Sequence, residues 1–379
     1  MINIFQPSIE FDELDHLKEA FSTGWLGRGS KVQLFEEQFA SFQGVSRQNI
    51  HTVSCASDSI FSILSVLKQR GLTGTIIVPT ISFPAVGSAV IAAGFNLELC
   101  DVEVESAQIC LESLSKAKQR YSDICAIFIT HYGGSAVAVS AIREMYGNKV
   151  LVLEDSACAL GSFDPRNRAV GAESDFSCWS FDAMKLLVCG EGAAVHIRDP
   201  ELLNDFKEYS YLGLPSKQKS GIDSSAEMGR WWEYQLNSYG VRSVFTDINA
   251  AIGLSQIPKL EAKLERKRTI AAYYDDAISD LKNISSLSPK NVSQSSSYFY
   301  TVRSSRRDSL ANFLKENDIY STFRYFPLSM IAKFGFEGRK DFPNTEIVAE
   351  TFLNIPIHDA LSDAEVEKIA ETLGRFDEI

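Results

Sequence analysis

The chain has 379 residues, 45% of them hydrophobic, and a formal charge of −12. This length and composition suffice for a large core and predict one large domain with a smaller second one. The acidic balance, with no long basic run, argues against nucleic acid as a partner. No apolar run approaches the roughly 18 residues that indicate a membrane span. Residues 1–10 lack the pattern of a secretory signal, so the expected location is the cytoplasm.

The cysteines and histidines show no pattern of a metal site or of a disulfide framework. The seven cysteines are an odd number and include no CxxC pair, and the five histidines are isolated from one another. Structural zinc sites need closely spaced pairs of such ligands. We therefore expect neither a metal enzyme nor a disulfide-stapled protein.

The first 255 residues alternate between helical and strand-like patterns. Helices are predicted over 11–23, 31–42, 57–70, 85–93 and 136–146, and strands over 75–78, 97–102, 124–130, 150–153, 176–181 and 193–197. This alternation is typical of an α/β sandwich with a largely parallel sheet.

The pattern changes near residue 255, where a charged helical stretch begins. Helices are predicted over 257–278, 309–317 and 363–376, strands over 298–303 and 321–326, and a polar loop over 285–297. These elements indicate a smaller α+β domain. The predicted division is residues 1–255 for the large domain and 256–379 for the small one.

Two residues of the large domain are candidates for catalysis. Asp155 follows the apolar run 150–153, and ligands of open parallel sheets bind outside the carboxyl ends of the strands. Lys185 is flanked by apolar segments, and poor solvation there would lower its pKa and free its amine as a nucleophile. Taken singly, a helix-capping acid and a snorkelling lysine are the commoner explanations.

Together these two groups are the ones that pyridoxal phosphate (PLP) requires. A lysine holds the cofactor as a Schiff base and later moves a proton at the substrate Cα, while an aspartate keeps the pyridine nitrogen protonated. The small residues from Ser54 to Ser57 open a predicted helix, whose positive end suits the cofactor's phosphate. An ordinary helix cap is the alternative for that segment.

Eight segments, in order across nearly the whole chain, resemble the DegT/StrS family of PLP-dependent sugar aminotransferases. They are residues 24–40, 79–83, 130–133, 154–158, 180–185, 190–192, 246–256 and 324–328. For example, residues 154–158 resemble the family's EDAAQ segment and residues 180–185 its SFHxxK segment. The resemblance implies the type I PLP-dependent transferase fold, with a large α/β/α domain around a mostly parallel sheet and a smaller C-terminal α+β domain.

The resemblance also implies roles for particular residues. They are Lys185 as the Schiff-base lysine, Asp155 at the pyridine nitrogen, Phe83 on the cofactor ring, Ala56, Ser57 and Ser180 at the phosphate, and Arg242 reaching the phosphate of the neighbouring subunit in a homodimer. The lysine favours amino transfer, because a family branch that dehydrates its substrate carries histidine at this position.

Several positions depart from the family pattern, most of them near the expected substrate site. Cys158 stands where a glutamine usually contacts the phenolic oxygen of the cofactor, Asp182 replaces a histidine or aromatic residue, and Ser329 replaces a histidine. Arg28 and Arg324 are candidate anchors for a substrate phosphate or carboxylate, with solvated surface arginine as the alternative. Asp182 and Tyr325 are further candidates for substrate contact.

The sequence therefore predicts a PLP-dependent aminotransferase that moves an amino group from L-glutamate to a keto-sugar. The sugar is expected to be nucleotide-linked and to serve a surface polysaccharide, such as an O-antigen, or a glycosylated natural product. One alternative acceptor is a non-nucleotide keto-cyclitol or oxidised sugar acid. A PLP-binding regulatory protein without turnover is the other alternative, but it predicts a lost lysine or aspartate, or an added DNA-binding segment.

Overall fold

A seven-stranded sheet forms the centre of the molecule in this computed structural model, which describes residues 1–215, 235–287 and 294–378. Its strands are β1 Ile50–Val53, β2 Thr75–Pro79, β3 Asn96–Cys100, β4 Ile124–Thr130, β5 Leu151–Asp155, β6 Phe176–Ser180 and β7 Ala193–Ile197. The order across the sheet is β1-β7-β6-β5-β4-β2-β3. Only β7 runs antiparallel to its neighbours, so β1 to β6 all end at one edge.

Helices cover both faces of this sheet. They are α1 Glu13–Ser22, α2 Ser30–Gln43, α3 Ala56–Gln69, α4 Pro84–Ala92, α5 Leu111–Arg120, α6 Val139–Tyr146, α7 Pro200–Tyr209 and α8 Asp247–Gln256. All residues of β2 and β7 are buried, as expected for strands of a sheet that is covered on both sides. The predicted α/β sandwich with a largely parallel sheet is confirmed.

A smaller α+β unit follows. It contains α9 Leu260–Ile278, β8 Ser285–Ser286, β9 Tyr300–Arg303, α10 Arg307–Glu316, α11 Pro343–Thr351, β10 Phe352–Ile355 and α12 Asp363–Asp377. Its antiparallel sheet has the order β10-β9-β8. Of the polar loop predicted over 285–297, residues 288–293 lie outside the described residues. No helix among the described residues is both long and apolar enough to cross a membrane.

The strand predicted over 321–326 is wrong. This segment makes a single bridge, from Thr322 to Asn354, and the next N–H in the pattern, that of Arg324, donates to the side chain of Asn354 instead of to a backbone carbonyl. The small sheet instead contains β10, a segment for which no strand was predicted.

The beginning of the chain packs on the small unit. Ile2 bridges to Ile319 in parallel, and its N–H donates to the carbonyl of Asp318 at 2.6 Å. Ile2 is buried in the same apolar cluster as Leu353 of β10. The first residues therefore contact the small unit across more than 300 positions of the sequence, and the division at residue 255 stays a prediction.

Candidate active site

The carboxyl ends of the parallel strands carry most of the predicted site residues. Asp155 is the last residue of β5 and Ser180 is the last of β6. Ser180 and Val53, the last residue of β1, both pair with Ala193, from opposite sides of β7. Two strand spacings place their Cα atoms roughly 10 Å apart. The loop into α3 therefore leaves the same edge as the loops that follow Asp155 and Ser180.

Asp182 shapes the turn that presents Lys185. Its Oδ1 accepts a hydrogen bond from the N–H of Met184 at 3.0 Å, and its carbonyl accepts one from the N–H of Lys185 at 2.9 Å. The backbone N–H of Asp182 donates in turn to the Ser180 hydroxyl at 3.3 Å. One carboxylate oxygen of Asp182 thus holds the Lys185 turn, a role that differs from the substrate contact predicted for it.

Helix α8 clamps the segment that follows Lys185. The Gln256 amide donates to the carbonyl of Val188 at 2.7 Å and accepts from its N–H at 3.2 Å. The Asn249 amide donates to the carbonyl of Cys189 at 2.9 Å. The segment 246–256, more than 60 residues downstream of Lys185, therefore fixes the backbone that follows this lysine.

Lys185 lines a small cavity at the edge of the sheet. Its Nζ donates to the sulfur of Cys158 at 3.6 Å and lies 4.6 Å from the ring centre of Tyr298. The cavity is lined by Ala157, Cys158, Leu160, Ser180, Lys185, Leu186, Lys267, Ser296 and Tyr298. A sheltered amine beside a space for a small ligand is the geometry that a covalent lysine needs.

The predicted pKa shift of Lys185 is wrong in direction. Burial acts to lower the pKa of the amine, but the groups of Cys158, Tyr298 and Asp155 around it together raise the pKa above its ordinary value. The apolar flanks of Lys185 favour a lowered pKa, whereas the folded chain brings an acid and two weakly acidic groups to the same amine. In the cofactor-free protein Lys185 is therefore an ammonium at neutral pH.

Asp155 faces the Lys185 side of the sheet. Side chains alternate along a strand, so its neighbour Glu154 points to the other face, where it pairs with His131 at 2.8 Å. Asp155 is 6% exposed, and burial raises the pKa of its carboxyl. Within the described parts of the chain, its side chain accepts one hydrogen bond, from the Ala157 N–H at 3.1 Å, and has no ion pair. This carboxylate fits a ligand that brings a protonated nitrogen to it.

Aromatic rings line the approach to Cys158. The ring of Phe83 is 44% exposed and lies 5.7 Å from the ring of Tyr325, centre to centre. The Tyr325 hydroxyl is 3.7 Å from the sulfur of Cys158. Burial raises the pKa of Cys158, so its thiol stays neutral near pH 7. The structure thus joins Phe83, Tyr325, Cys158 and Lys185 in one chain of contacts, with the Phe83 ring free to stack on a ligand.

The start of α3 offers donors for an anion. Ala56 and Ser57 are its first two residues, and within the described residues their backbone N–H groups have no acceptor. Ser54, just before the helix, is held through its N–H by the hydroxyl of Ser243 at 3.1 Å. Free amide donors at the positive end of a 14-residue helix suit a phosphate group.

Arg28 is engaged inside the protein. Its guanidinium pairs with Glu36, which is 1% exposed, at 2.5 Å, and donates to the hydroxyl of Thr52 at 2.9 Å and to its carbonyl at 3.1 Å. It also lies 3.1 Å from Nδ1 of His51. These partners hold both terminal nitrogens of the guanidinium and give Arg28 a structural role, while its contact with a substrate stays a prediction.

The environment of Arg324 differs from that of Arg28. It lies over the ring of Phe5 at 4.9 Å and near the sulfur of Met184, the neighbour of Lys185. Among the described residues, no carboxylate lies within ion-pair distance of it. A half-buried guanidinium without an acid, beside the lysine turn, suits an anionic ligand.

Arg242 is exposed and stacks its guanidinium over the ring of Tyr211 at 5.1 Å. The next residue, Ser243, holds the loop into α3 through Ser54. Arg242 is therefore adjacent in sequence to a residue that contacts the loop before α3, and its own side chain is exposed. Its predicted contact with a neighbouring subunit stays a prediction.

Among the cavity residues that were not predicted, Lys267 and Tyr298 carry titratable groups. Lys267 could have been found from its position in α9, because it falls within the stripe Leu260, Leu264, Ala271, Tyr274 and Ile278 that the helix buries. A lysine at helical spacing among core residues is unusual unless it has a partner or a function. Tyr298 donates from its hydroxyl to the carbonyl of Met184 at 3.3 Å, a contact without a local sequence signal.

Comparison with known proteins identifies the family of this chain. A model of the DegT/DnrJ/EryC1/StrS aminotransferase family matches residues 7–374. A relative from Saccharopolyspora spinosa, named dTDP-4-dehydro-2,3,6-trideoxy-D-glucose 4-aminotransferase, is 34% identical over 377 residues, which cover 98% of this chain and 95% of the relative. The crystal structure of the aminotransferase TlmJ from Streptoalloteichus hindustanus is 35% identical, with a TM-score of 0.87 over 98% of each chain.

Structures of the protein Spr1654 from Streptococcus pneumoniae share the fold as well. Its PLP-form and its PMP-form are each 21% identical to this chain, with TM-scores of 0.85 and 0.87. They cover all of this chain and 98% and 99% of their own. The fold is therefore that of the sugar aminotransferases, as predicted. Since the family match spans nearly the whole sequence, the protein is an aminotransferase and belongs to the DegT/DnrJ/EryC1/StrS family, whose members depend on PLP.

Proposed function

We propose that this aminotransferase uses PLP, held by Lys185, to move an amino group from L-glutamate to a nucleotide-linked keto-sugar. The observation that carries the proposal is the closeness of two groups: the half-buried amine of Lys185, which lines the cavity, and the buried carboxylate of Asp155, which accepts one hydrogen bond and whose charge acts on that amine. Neither group has an evident structural purpose, and burial of the Asp155 carboxylate is costly unless a ligand compensates it.

The residues present fit the cofactor at each of its polar ends. Asp155 would face the pyridine nitrogen, the free N–H groups of Ala56 and Ser57 together with the Ser180 hydroxyl would hold the phosphate, and Phe83 would stack on the ring. When bound, PLP supplies an aldehyde that links to amines and a ring that draws electrons from the bonds at the reacting carbon.

Lys185 carries out the proton transfer at the substrate carbon. Its amine must be neutral to accept that proton, and the bound cofactor, by engaging Asp155, removes one of the charges that now raise the pKa of the lysine. The Asp182 turn and the α8 clamp hold the backbone of Lys185 fixed while its side chain moves. The aromatic rings of Phe83 and Tyr325 exclude water from the same space.

The proposed acceptor is a sugar nucleotide with a keto group at ring carbon 4. This choice is supported by the name of the relative that is 34% identical, a dTDP-4-dehydro-sugar 4-aminotransferase. Arg324 would anchor the acceptor's diphosphate or the donor's carboxylate, since its guanidinium lies beside the lysine turn without an acid. The homodimer with shared sites, in which Arg242 reaches the partner's phosphate, is part of the same proposal.

The test begins with purified protein mixed with PLP. We expect a visible absorption band of the lysine-linked cofactor, and borohydride reduction should fix the label on the peptide that contains Lys185. The variant Lys185→Ala should lose both signals, while Lys263→Met, which changes a buried lysine outside the cavity, should keep them. No band in the wild type, or a label on another peptide, would overturn the cofactor assignment.

The acceptor is tested with the loaded enzyme. L-glutamate alone should bleach the band in a single turnover, which a regulatory protein without transamination would fail to do. A dTDP-linked 4-keto-6-deoxy sugar should then restore it, and 2-oxoglutarate should accumulate in step with the aminated sugar. If a non-nucleotide keto-cyclitol restores the band and the sugar nucleotide does not, the proposed acceptor class is wrong.

A further inference from the structure

A second lysine, Lys267, lies in the cavity of Lys185. It comes from α9 in the small unit, is 4% exposed, and lines the cavity together with Cys158 and Lys185. Its Nζ lies 5.2 Å from the ring centre of Tyr298, the same ring that lies 4.6 Å from the Nζ of Lys185. The two ammonium groups are therefore less than 10 Å apart.

Lys267 has no polar partner in residues 1–215, 235–287 and 294–378: none of them offers it a hydrogen bond or an ion pair. The neighbouring Lys263, one turn earlier on α9, shows the contrast, because its ammonium donates to the carbonyl of Ser8 at 3.1 Å and to Gln256 at 3.4 Å. A buried ammonium without an anion costs several kcal/mol. Such a group is expected to have a function, and the cavity is the space into which it can donate.

The charged and titratable groups that surround Lys267 are few. They are Asp359 and His358 ahead of α12, Cys158 and Lys185 at the sheet edge, and Tyr298 ahead of β9. Asp359 already accepts a hydrogen bond from the Ser8 hydroxyl. Burial lowers the pKa of Lys267 to about 8, even with Asp359 acting in the opposite direction. The described residues thus leave the charge of Lys267 largely uncompensated.

Cys158 leaves a chemical need that Lys267 can meet. The family resemblance places a glutamine at position 158, where its amide contacts the phenolic oxygen of the cofactor. The neutral, half-buried thiol of Cys158 is a weak donor. Lys267, at the wall of the same cavity, brings three strong donors and a positive charge.

We propose that the Lys267 ammonium binds the phenolate oxygen of the cofactor in place of residue 158, and thereby controls the protonation of Lys185 once it is linked. The inference rests on the proposed use of PLP. A cation at that oxygen competes for the electron pair that would otherwise stabilise a proton on the linked lysine nitrogen. Lys267 therefore keeps that nitrogen unprotonated to lower pH than an apolar residue would.

The size of the effect follows from the separation of the two amines. Two unit charges about 10 Å apart, at an effective dielectric constant of about 20, shift one another's pKa by about one unit, and closer approach increases the shift. The removal of the Lys267 charge should thus raise the pH midpoint of the visible absorption transition of the loaded enzyme by about one unit or more.

The experiment is a spectrophotometric pH titration of PLP-loaded wild type, Lys267→Met, Lys267→Arg and Lys263→Met. We expect the midpoint to rise in Lys267→Met, to stay near the wild type in Lys267→Arg, and to move much less in Lys263→Met. Thermal unfolding of each variant verifies that it is folded, and Lys267→Arg provides a charge-preserving variant if the methionine variant is not.

The outcomes separate this inference from the proposed function. No band in the wild type overturns the use of PLP and this inference with it. If the wild type and Lys267→Met both show the band, but the midpoint of Lys267→Met moves no more than that of Lys263→Met, only the role of Lys267 is overturned. A midpoint that shifts equally in Lys267→Arg and Lys267→Met also contradicts it, because a positive charge would then make no difference.

Discussion

Replacement of Lys267 by methionine should stabilise the cofactor-free protein at neutral pH. Burial lowers the pKa of this ammonium from an ordinary value of 10.5 to about 8. Below pH 8 the group is charged in both the folded and the unfolded protein, and the folded state bears the whole cost of burying the charge. The shift corresponds to about 3 kcal/mol, and methionine fills a similar volume without a charge.

The pH dependence of this gain follows from proton linkage. Between pH 8 and 10.5 the unfolded state binds more protons at this site than the folded state does, so the wild type gains stability from the site as the pH rises. The advantage of Lys267→Met should therefore be largest at pH 7 and should shrink as the pH approaches 10.5.

Urea denaturation of cofactor-free wild type and Lys267→Met at pH 7 and pH 10 measures both quantities. Lys333→Met, a change at an exposed lysine, is the control for the general effect of losing a positive charge. The reasoning is refuted if Lys267→Met is less stable than the wild type at pH 7, or if its gain is the same at both pH values. Loading with PLP should reduce the gain, because the wild-type lysine then acquires an anionic partner.

Four further predictions test other parts of the structure. Asp155→Asn should lower kcat on the order of 100- to 1000-fold in a glutamate half-reaction, since an amide cannot hold the pyridine nitrogen protonated. Arg28→Ala should lower the free energy of unfolding in urea by about 3 kcal/mol, because it leaves buried Glu36 short of a partner. Arg324→Ala should instead raise the KM of the anionic substrate about tenfold or more, with little change in stability. Gly253→Ala should cost about 1–3 kcal/mol in thermal unfolding, because its new methyl group would overlap the buried ring of Phe35; an unchanged Tm would show that this helix can shift freely.

The sequence predicts secondary structure well where a strand or helix has its own periodicity. The strands 124–130 and 193–197 are observed with the predicted bounds. The prediction failed at 321–326, where the chain makes a single bridge to β10 instead of pairing along it. Local pattern contains no information on which segments lie side by side, and hydrogen-bond partners from distant parts of the chain decide that question.

The candidate site shows the same difference between what local sequence predicts and what tertiary contacts decide. The sequence alone determined that an acid and a lysine follow strands of a parallel sheet, because residues that close such strands come together at one edge. Only the tertiary structure decided that Arg28 is held by Glu36, that Arg324 has no acid beside it, and that Lys267 enters the cavity of Lys185. Spacing along a helix shows which face is buried, whereas the neighbours that cover that face, and the charge they carry, are fixed by packing between segments far apart in the chain.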